Sequence, residues 1–211
     1  MLKKYIALFA FSIMVGIAAY GIIPNSALKD KTIRIQGIVI QKSKAELIED
    51  ADLIISGKVK NILPSKWSNP GLKKGESIRN ILQTDISVKI NDIYKGQPYN
   101  ADSITVRIDK GSADGIKFES DGYPDFKENE NVVLFLSKDD GDLANINENY
   151  YVLTGMLQGK FSLKDKDKNS NTEDIYVSAA NENTYINLST LKNDINKQLE
   201  FRKNNPKKTL S

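Results

Sequence analysis

The apolar and polar residues divide this chain into an apolar leader and a longer part in which apolar and polar positions alternate. In residues 84–93, Ile86, Val88 and Ile90 fall on one face of an extended chain, and the residues between them are mostly polar. Residues 103–109 repeat the pattern. A period of two is typical of strands with one buried face and one solvated face. The pattern therefore predicts a mainly β fold.

The strand at residues 103–109 carries charges among its apolar positions. Ile104, Val106 and Ile108 point inward, so Arg107 and Asp109 fall on the opposite face. That face is the solvated one in a sheet with a single buried side. We therefore expect both charged groups to lie in water.

Further strands are predicted where short apolar runs are bounded by turn residues. The run 132–136 is apolar throughout, which indicates a strand covered on both faces. The last two predicted strands form a hairpin across the polar loop 165–173. The predicted segments are 52–62, 132–136, 150–154, 160–164 and 174–178.

Two helices are predicted, one before and one after the strands. Ser43 and Glu46 have the spacing of a capping box, so a short helix runs from there to about Ala51. Near the C-terminus, four apolar residues recur at helical spacing, and Pro206 follows them. We expect this second helix to pack on the sheet, and a partner-binding helix is the alternative. Its apolar stripe consists of Leu188, Leu191, Ile195 and Leu199.

The leader has the features of an export or anchoring signal. Lys3 and Lys4 precede an uncharged run, residues 5–23, of about 19 residues, and a helix of that length measures about 28 Å, enough to cross the apolar core of a bilayer. A buried helix of the domain is the other interpretation. We predict a signal peptide or membrane anchor over residues 1–24, with the rest secreted or held outside the cell membrane. Cleavage and retention both stay open, because small residues at 16–21 offer a cleavage site.

Composition narrows the chemistry of the part that follows. The chain contains neither Cys nor His, which excludes disulfides, thiol nucleophiles and Ser-His-Asp triads, and leaves no ordinary catalytic zinc site. We expect no cofactor and no catalysis. The formal net charge of +3 indicates no basic face for nucleic acid. We predict a linker with a first strand at 32–40 over residues 25–42, and one domain over 43–211.

Several of the strand motifs carry a resemblance to known proteins. The segments are 51–59, the run ending at 93–96, 130–136, and 150–153 with 159–161. They resemble uncharacterised exported proteins of Gram-positive bacteria, and their order resembles the netrin-like domain of tissue inhibitors of metalloproteinases. The resemblance covers roughly residues 43–165 and implies a small closed OB-like β-barrel with flanking helices.

The inhibitory mechanism of that family cannot be transferred to this chain. The animal inhibitors are similar to one another in an N-terminal cysteine and a disulfide framework, and this chain has no Cys. The resemblance therefore implies a fold and assigns no functional residue. Gly57, inside a predicted strand, indicates a bulge or bend of the kind that closing a small barrel requires.

A calcium site and a pair of catalytic carboxylates are the first two candidates for chemistry. Oxygen-bearing side chains alternate in the loop after residue 164, but Ser170 and Tyr176 stand where a calcium loop has Gly and Glu, which favours a solvated hairpin loop. The calcium candidates are Asp165, Asp167, Asn169 and Asn171. A carboxylate-based hydrolase would need two acidic residues facing each other across a cleft. The carboxylate candidates are Asp109, Asp114, Glu119, Asp121 and Asp125.

The loop around the single tryptophan is the candidate contact surface. Trp67 lies in a long loop with Lys66, Lys73 and Lys74. An exposed Trp can anchor a partner or a sugar, but a Trp in such a loop more commonly folds over the open end of the barrel. We take these four residues as the partner-binding candidates.

The sequence predicts an exported or membrane-anchored, non-catalytic binding module. A protein partner is favoured, and a cell-wall or carbohydrate ligand is second. An extracellular carboxylate-based hydrolase is the rival, and inhibition of a protease by the Trp67 loop is a third hypothesis. A binding module predicts a filled barrel with an exposed aromatic loop, whereas a hydrolase predicts acidic residues in a pocket with a raised pKa.

Overall fold

The computed structural model describes residues 31–36, 39–74, 79–164 and 174–206. This part of the chain is mainly β, with two helices: α1 (Lys44–Asp50) and α2 (Leu188–Asn204). The leader, residues 1–24, and the calcium candidates, Asp165, Asp167, Asn169 and Asn171, lie outside it. Neither helix in the described part has the length and hydropathy needed to span a bilayer. The strands are β1 (Lys31–Ile35), β2 (Leu53–Ile62), β3 (Lys66–Trp67), β4 (Leu82–Lys95), β5 (Ser103–Ile108), β6 (Gly111–Ala113), β7 (Ile116–Ser120), β8 (Asn131–Lys138), β9 (Tyr151–Leu153), β10 (Lys160–Leu163), β11 (Ile175–Ser178) and β12 (Tyr185–Asn187).

Five of these strands close into a barrel, which confirms the predicted barrel. Their order is β2-β4-β5-β9-β8, and β8 pairs with β2 to complete the circle. Neighbouring strands are antiparallel except β5 and β9, which pair in parallel through Val106 and Tyr151. Alternate residues of the strands fill the interior with apolar side chains, among them the predicted Ile86, Val88 and Ile104.

The bend in β2 follows from Gly57. The register between β2 and β4 shifts between Ser56 and Gly57. A Cβ at Gly57 would lie 2.5 Å from the carbonyl oxygen of Lys89 on the neighbouring strand. Because only glycine permits this approach of two backbones, the predicted role of Gly57 in a bulge is confirmed.

A second core lies outside the barrel, between its wall and the two helices. In β8, Val132 and Leu134 face the barrel interior, while Val133 and Phe135 face the second core, so the prediction of a strand covered on both faces is confirmed. Strands β10, β11 and β12 continue the sheet beyond β8. Helices α1 and α2 both pack in this core, and α2 buries Leu191 and Ile195, which confirms the prediction that the C-terminal helix packs on the sheet.

A third, smaller core includes strands β3, β6 and β7, which sequence patterning missed, and β1, which it predicted. Strands β1, β7 and β6 form a separate sheet, and β3 pairs with the start of β4. The first strand ends at Ile35 instead of residue 40 because its partner β7 is only five residues long. β6 and β7 are joined at Asp114 and Gly115, whose φ angles of 54° and 71° fit a type I′ hairpin turn.

Candidate binding cleft beside the barrel

Trp67 is in the third core and not on the surface, so it is not the exposed aromatic side chain that the binding-module prediction requires. Its side chain is 8% exposed and meets Phe118 edge to face, with ring centroids 6.3 Å apart. Its Nε1 donates a hydrogen bond to Oδ2 of Asp114 at 2.8 Å. The pairing of Trp67 with Leu82 of β4 turns the indole inward, because it makes this part of the loop a short strand.

The predicted lysines do not form a free basic patch around Trp67. The Nζ of Lys66 lies 2.8 Å from Oε2 of Glu148 and 3.0 Å from Oδ2 of Asp85. The Nζ of Lys74 lies 2.8 Å from Oδ2 of Asp114. Lys73 is exposed in the same loop. Lys66 and Lys74 therefore stabilise the fold by pairing with carboxylates.

The carboxylates required by a hydrolase have separate partners. Burial raises the pKa of Asp109, whose oxygens accept hydrogen bonds from Gln83 and Tyr123. Hydrogen bonds from Lys74 and Trp67 lower the pKa of Asp114. Asp109 and Asp114 therefore bind different partners and do not form the pair of carboxylates that a hydrolase requires.

The other three acidic candidates lie elsewhere on the surface. Hydrogen bonds from Lys117 and Arg34 lower the pKa of Glu119, and Asp121 is exposed. Asp125 forms an ion pair with Lys110 and lines a cleft of about 440 Å³. The other four candidates do not line this cleft. The predicted two-carboxylate arrangement is therefore not found, and in the described residues no group of acidic side chains is arranged to hold a metal ion.

Arg107 is buried beneath the loop that joins β8 and β9, so its predicted exposure to water is wrong. Its side chain is 3% exposed. Its Nε and Nη2 donate to the two carboxylate oxygens of Asp85 at 2.7 and 2.9 Å, and Nη2 also donates to Glu148. Together with Lys66, these side chains form a group of two cations and two anions, which we call the Arg107 cluster.

The charges of the Arg107 cluster hold one another in their ionised forms. Burial by itself would lower the pKa of Arg107, but the hydrogen bonds and charges of Asp85 and Glu148 outweigh it and raise this pKa. Burial would raise the pKa of Asp85, but Arg107 and Lys66 lower it. Hydrogen bonds from Lys66 and Arg107 likewise lower the pKa of Glu148.

The loop of residues 139–150 is fastened to the barrel through this cluster. The guanidinium of Arg107 lies 3.7 Å from the ring centroid of Tyr150. The hydroxyl of Tyr150 donates to Oδ2 of Asp139 at 2.6 Å and accepts from the backbone N–H of Asn145 at 2.8 Å. The two ends of the loop are therefore bound to each other through Tyr150, whose ring lies on the buried guanidinium of Arg107.

The tip of this loop is a tight turn, Asn145 to Glu148, which we call the Ile146 turn. The N–H of Glu148 donates to the carbonyl oxygen of Asn145 at 3.1 Å, and the N–H of Asn147 donates to the side chain of Asn145 at 3.1 Å. The amide of Asn145 also donates to Oε1 of Glu148 at 3.0 Å. Ile146, at the tip, is 93% exposed. An apolar side chain is thus exposed to water at the tip of a hydrogen-bonded turn.

A cleft of about 300 Å³ lies beside the Ile146 turn, and we call it the Tyr99 cleft. Its walls are Tyr99, from the loop between β4 and β5, and side chains of the segment 138–151. Tyr99 stacks on Tyr151 with ring centroids 5.3 Å apart and an interplanar angle of 12°, yet it is 42% exposed. Its hydroxyl accepts a hydrogen bond from the N–H of Thr105, which fixes the ring in the wall.

Asp139, in the same wall, has no positive partner within the described part of the chain. Its oxygens accept hydrogen bonds from the N–H of Gly141 at 3.1 Å and from the hydroxyl of Tyr150. The side chain is half-buried. Its charge adds to the effect of burial in raising the pKa of Asp109. The cleft therefore has in its wall a carboxylate that forms no ion pair in the described chain, with Lys138 as a further lining residue.

Comparison with known proteins gives no assignment for this surface. No family model matches the chain, and no curated protein matches it. Sequence reasoning missed the Tyr99 cleft, although one signal was present: Ile146 stands between two asparagines in a largely polar loop.

Proposed function

We propose that this chain is a non-catalytic binding module that works outside the cytoplasm and contacts a protein partner through the Ile146 turn and Tyr99. The observation that carries this proposal is Ile146, exposed at the tip of a turn that the buried Arg107 cluster holds in place. The placement outside the cytoplasm rests on the leader, residues 1–24. The Trp67 loop is not part of the proposed surface.

The energetics favour a protein contact at this turn. Complete burial of an isoleucine side chain in a partner stabilises a complex by about 1.5–3 kcal/mol. A loop that is already ordered loses little conformational entropy on binding, so more of that free energy appears as affinity. An aromatic ring next to an apolar residue, with polar groups around them, is typical of the centre of a protein interface.

The architecture supports an OB-type barrel, of the kind that the netrin-like resemblance implies. The barrel has five strands, two layers of packing on its outside, and a long loop between its fourth and fifth strands. OB-type barrels bind ligands across the outer face of their second and third strands and the adjoining loops. In this chain those strands are β4 and β5, and their outer face carries Asp85 and Arg107 beneath the 139–150 loop. We do not propose nucleic acid as the ligand, because Arg107 and Lys66 are already paired with carboxylates.

Capture experiments with the full chain test this function. We expect the wild type to retain a specific protein from culture supernatant or envelope extract, and Ile146→Asp to lose it because a charge replaces the apolar contact. Ile40→Asp is the matched control, since Ile40 is 80% exposed and takes no part in the Tyr99 cleft. Identical capture by wild type and Ile146→Asp would remove the Ile146 turn as the contact surface.

A further inference from the structure

The geometry of the Tyr99 cleft points to an arginine side chain of the partner protein as its occupant. This inference rests on the proposed function and names the chemistry of the partner. Three features of the cleft carry it: a carboxylate without a counter-ion, an aromatic ring in the wall, and a volume suited to one side chain.

The carboxylate is Asp139. It is half-buried and has no cation within ion-pair distance in the residues that the structure describes. The two oxygens of a carboxylate can accept about four hydrogen bonds in all, and those of Asp139 accept two. A guanidinium group would supply the missing charge and further donors, and hydrogen bonds between charged groups are stronger than those between neutral ones.

The aromatic ring is Tyr99. Planar guanidinium groups stack on aromatic faces, and such contacts are stronger where the site excludes water. The stack on Tyr151 holds Tyr99 in the wall and leaves part of the ring accessible. The chain already uses the same contact internally, because Arg107 lies 3.7 Å above the centroid of Tyr150. Lysine fits less well, since its ammonium is a compact charge that cannot stack.

The size and surroundings of the cleft fit a single side chain. Its volume of about 300 Å³ lies at the lower end of ligand-binding sites, which run from about 300 to 1,000 Å³. The 139–150 loop contains four acidic residues and no Lys or Arg. Of these, Asp140 and Asp142 are exposed and form no ion pair in the described part. The one cation in the wall is Lys138. The partner surface that fits is therefore an arginine next to an apolar pocket that receives Ile146.

A capped Gly-Arg-Gly peptide is the probe for this inference. We expect it to shift the NMR signals of Tyr99, Asp139 and Ile146 in the ¹⁵N-labelled full chain, with a Kd on the order of 1 mM, as for a single small group. The citrulline analogue has almost the same shape and no charge, and we expect it to bind at least about tenfold more weakly. Equal binding of the two peptides would overturn the inference, because charge would then not be recognised.

Variants of the cleft provide the second arm of the test. Tyr99→Leu and Asp139→Asn should each weaken binding of the arginine peptide at least about fivefold. Lys138→Met should strengthen it about twofold to fivefold, because it removes a repelling charge from an exposed position. The matched controls, Tyr185→Leu and Asp121→Asn, change exposed residues outside the cleft and should leave binding unchanged. An unchanged affinity in Asp139→Asn, or a loss in Lys138→Met, would contradict the inference.

The outcomes separate this inference from the proposed function. If Ile146→Asp abolishes partner capture while the arginine peptide does not bind, only the arginine inference fails. If the peptide binds while Ile146→Asp captures the same proteins as wild type, the proposed contact surface fails. Titration with a neutral oligosaccharide, such as a chitin trimer, covers the other class of ligand: shifts at Tyr99 with the sugar and none with the peptide would replace the arginine by a glycan. Should a variant fail to fold, the comparison of arginine and citrulline in wild type still decides.

Discussion

At the scale of single residues, the environment of a charge decides its role more than its place in a pattern does. Arg107 occupies a polar position of an alternating strand, yet it is buried beneath Tyr150 and bonded to Asp85 and Glu148. Breaking a buried pair leaves a charge without its partner, and the resulting loss exceeds the net contribution of the pair. The Arg107 cluster is therefore expected to be the most sensitive polar feature of this barrel.

Replacement of Arg107 tests that expectation. We expect Arg107→Met to lower the free energy of unfolding by about 3–5 kcal/mol, because Asp85 stays half-buried with only Lys66 to pair with it. Arg34→Met is the control, since Arg34 forms an exposed pair with Glu119 and such pairs contribute about 0–1 kcal/mol. Urea unfolding of both variants gives the measurement, and similar losses in the two would mean that burial adds nothing to the Arg107 interactions.

At the scale of elements, side chains at the helix ends determine where the helices begin and how they attach. The capping box of α1 is formed as predicted: the hydroxyl of Ser43 accepts from the N–H of Glu46 at 3.2 Å, and the carboxylate of Glu46 accepts from the N–H of Ser43 at 2.7 Å. At the other end, the Nζ of Lys95 in β4 donates to three backbone oxygens, those of Ile48, Glu49 and Ala51. A lysine of the barrel thus satisfies carbonyls that a short helix leaves open.

The contribution of Lys95 to the docking of α1 can be measured directly. Lys95→Met removes the donors but keeps most of the apolar stem, so we expect a loss of about 1–3 kcal/mol, as for unsatisfied polar groups. Hydrogen exchange should speed up in Leu47 to Ala51 before the barrel strands are affected. Lys89→Met changes an exposed lysine of the same strand and should leave exchange in α1 unchanged. Equal protection of α1 in both variants would show that the apolar contacts of Leu47 and Ile48 suffice.

At the scale of the whole molecule, three carboxylates whose pKa values are shifted in opposite directions set how stability depends on pH. Burial raises the pKa values of Asp85 and Glu148, but hydrogen bonds and charges from Arg107 and Lys66 outweigh it. Both pKa values are therefore lowered from their ordinary values of 3.8 and 4.5. Their contribution is present at neutral pH and is lost as the pH falls below these ordinary values. The pKa of Asp109 is raised by burial and by the charge of Asp139. The folded protein therefore binds that proton more tightly, and acidification through this raised pKa adds stability.

These opposite signs predict the shape of the pH profile. From pH 7 downwards, the free energy of unfolding should first rise as Asp109 takes up its proton, and then fall once the pH drops below about 4. Asp109→Asn should remove the initial rise and keep the later fall, because the Arg107 cluster is untouched. Urea unfolding between pH 7 and pH 3 gives both curves. A rise of equal size in wild type and Asp109→Asn would show that another group is responsible.

The candidate surface was much less predictable from sequence than the fold was. The alternation of apolar and polar positions in residues 84–93 and 103–109 shows only which side chains share a face of the strand. It contains no information about a loop from a distant part of the chain that covers one of those faces. Trp67 lies in a polar, lysine-containing loop, which is the setting of an exposed anchor residue. Only its pairing with Leu82 and its contact with Phe118 place its side chain in the third core. Tyr99 and Asp139 are 40 residues apart in the sequence. No local pattern could have joined them.

The sequence by itself determined the barrel strands, the bend at Gly57 and both helices, because alternation, helical spacing and capping are local consequences of backbone geometry. It also excluded the chemistries that need Cys or His. Only the tertiary structure decided that the strands close through β8 and β9, that Arg107 is buried and that Ile146 is exposed. These features depend on contacts between segments far apart in the chain, and the free energy of such contacts depends on which groups are brought together and how much water is removed between them.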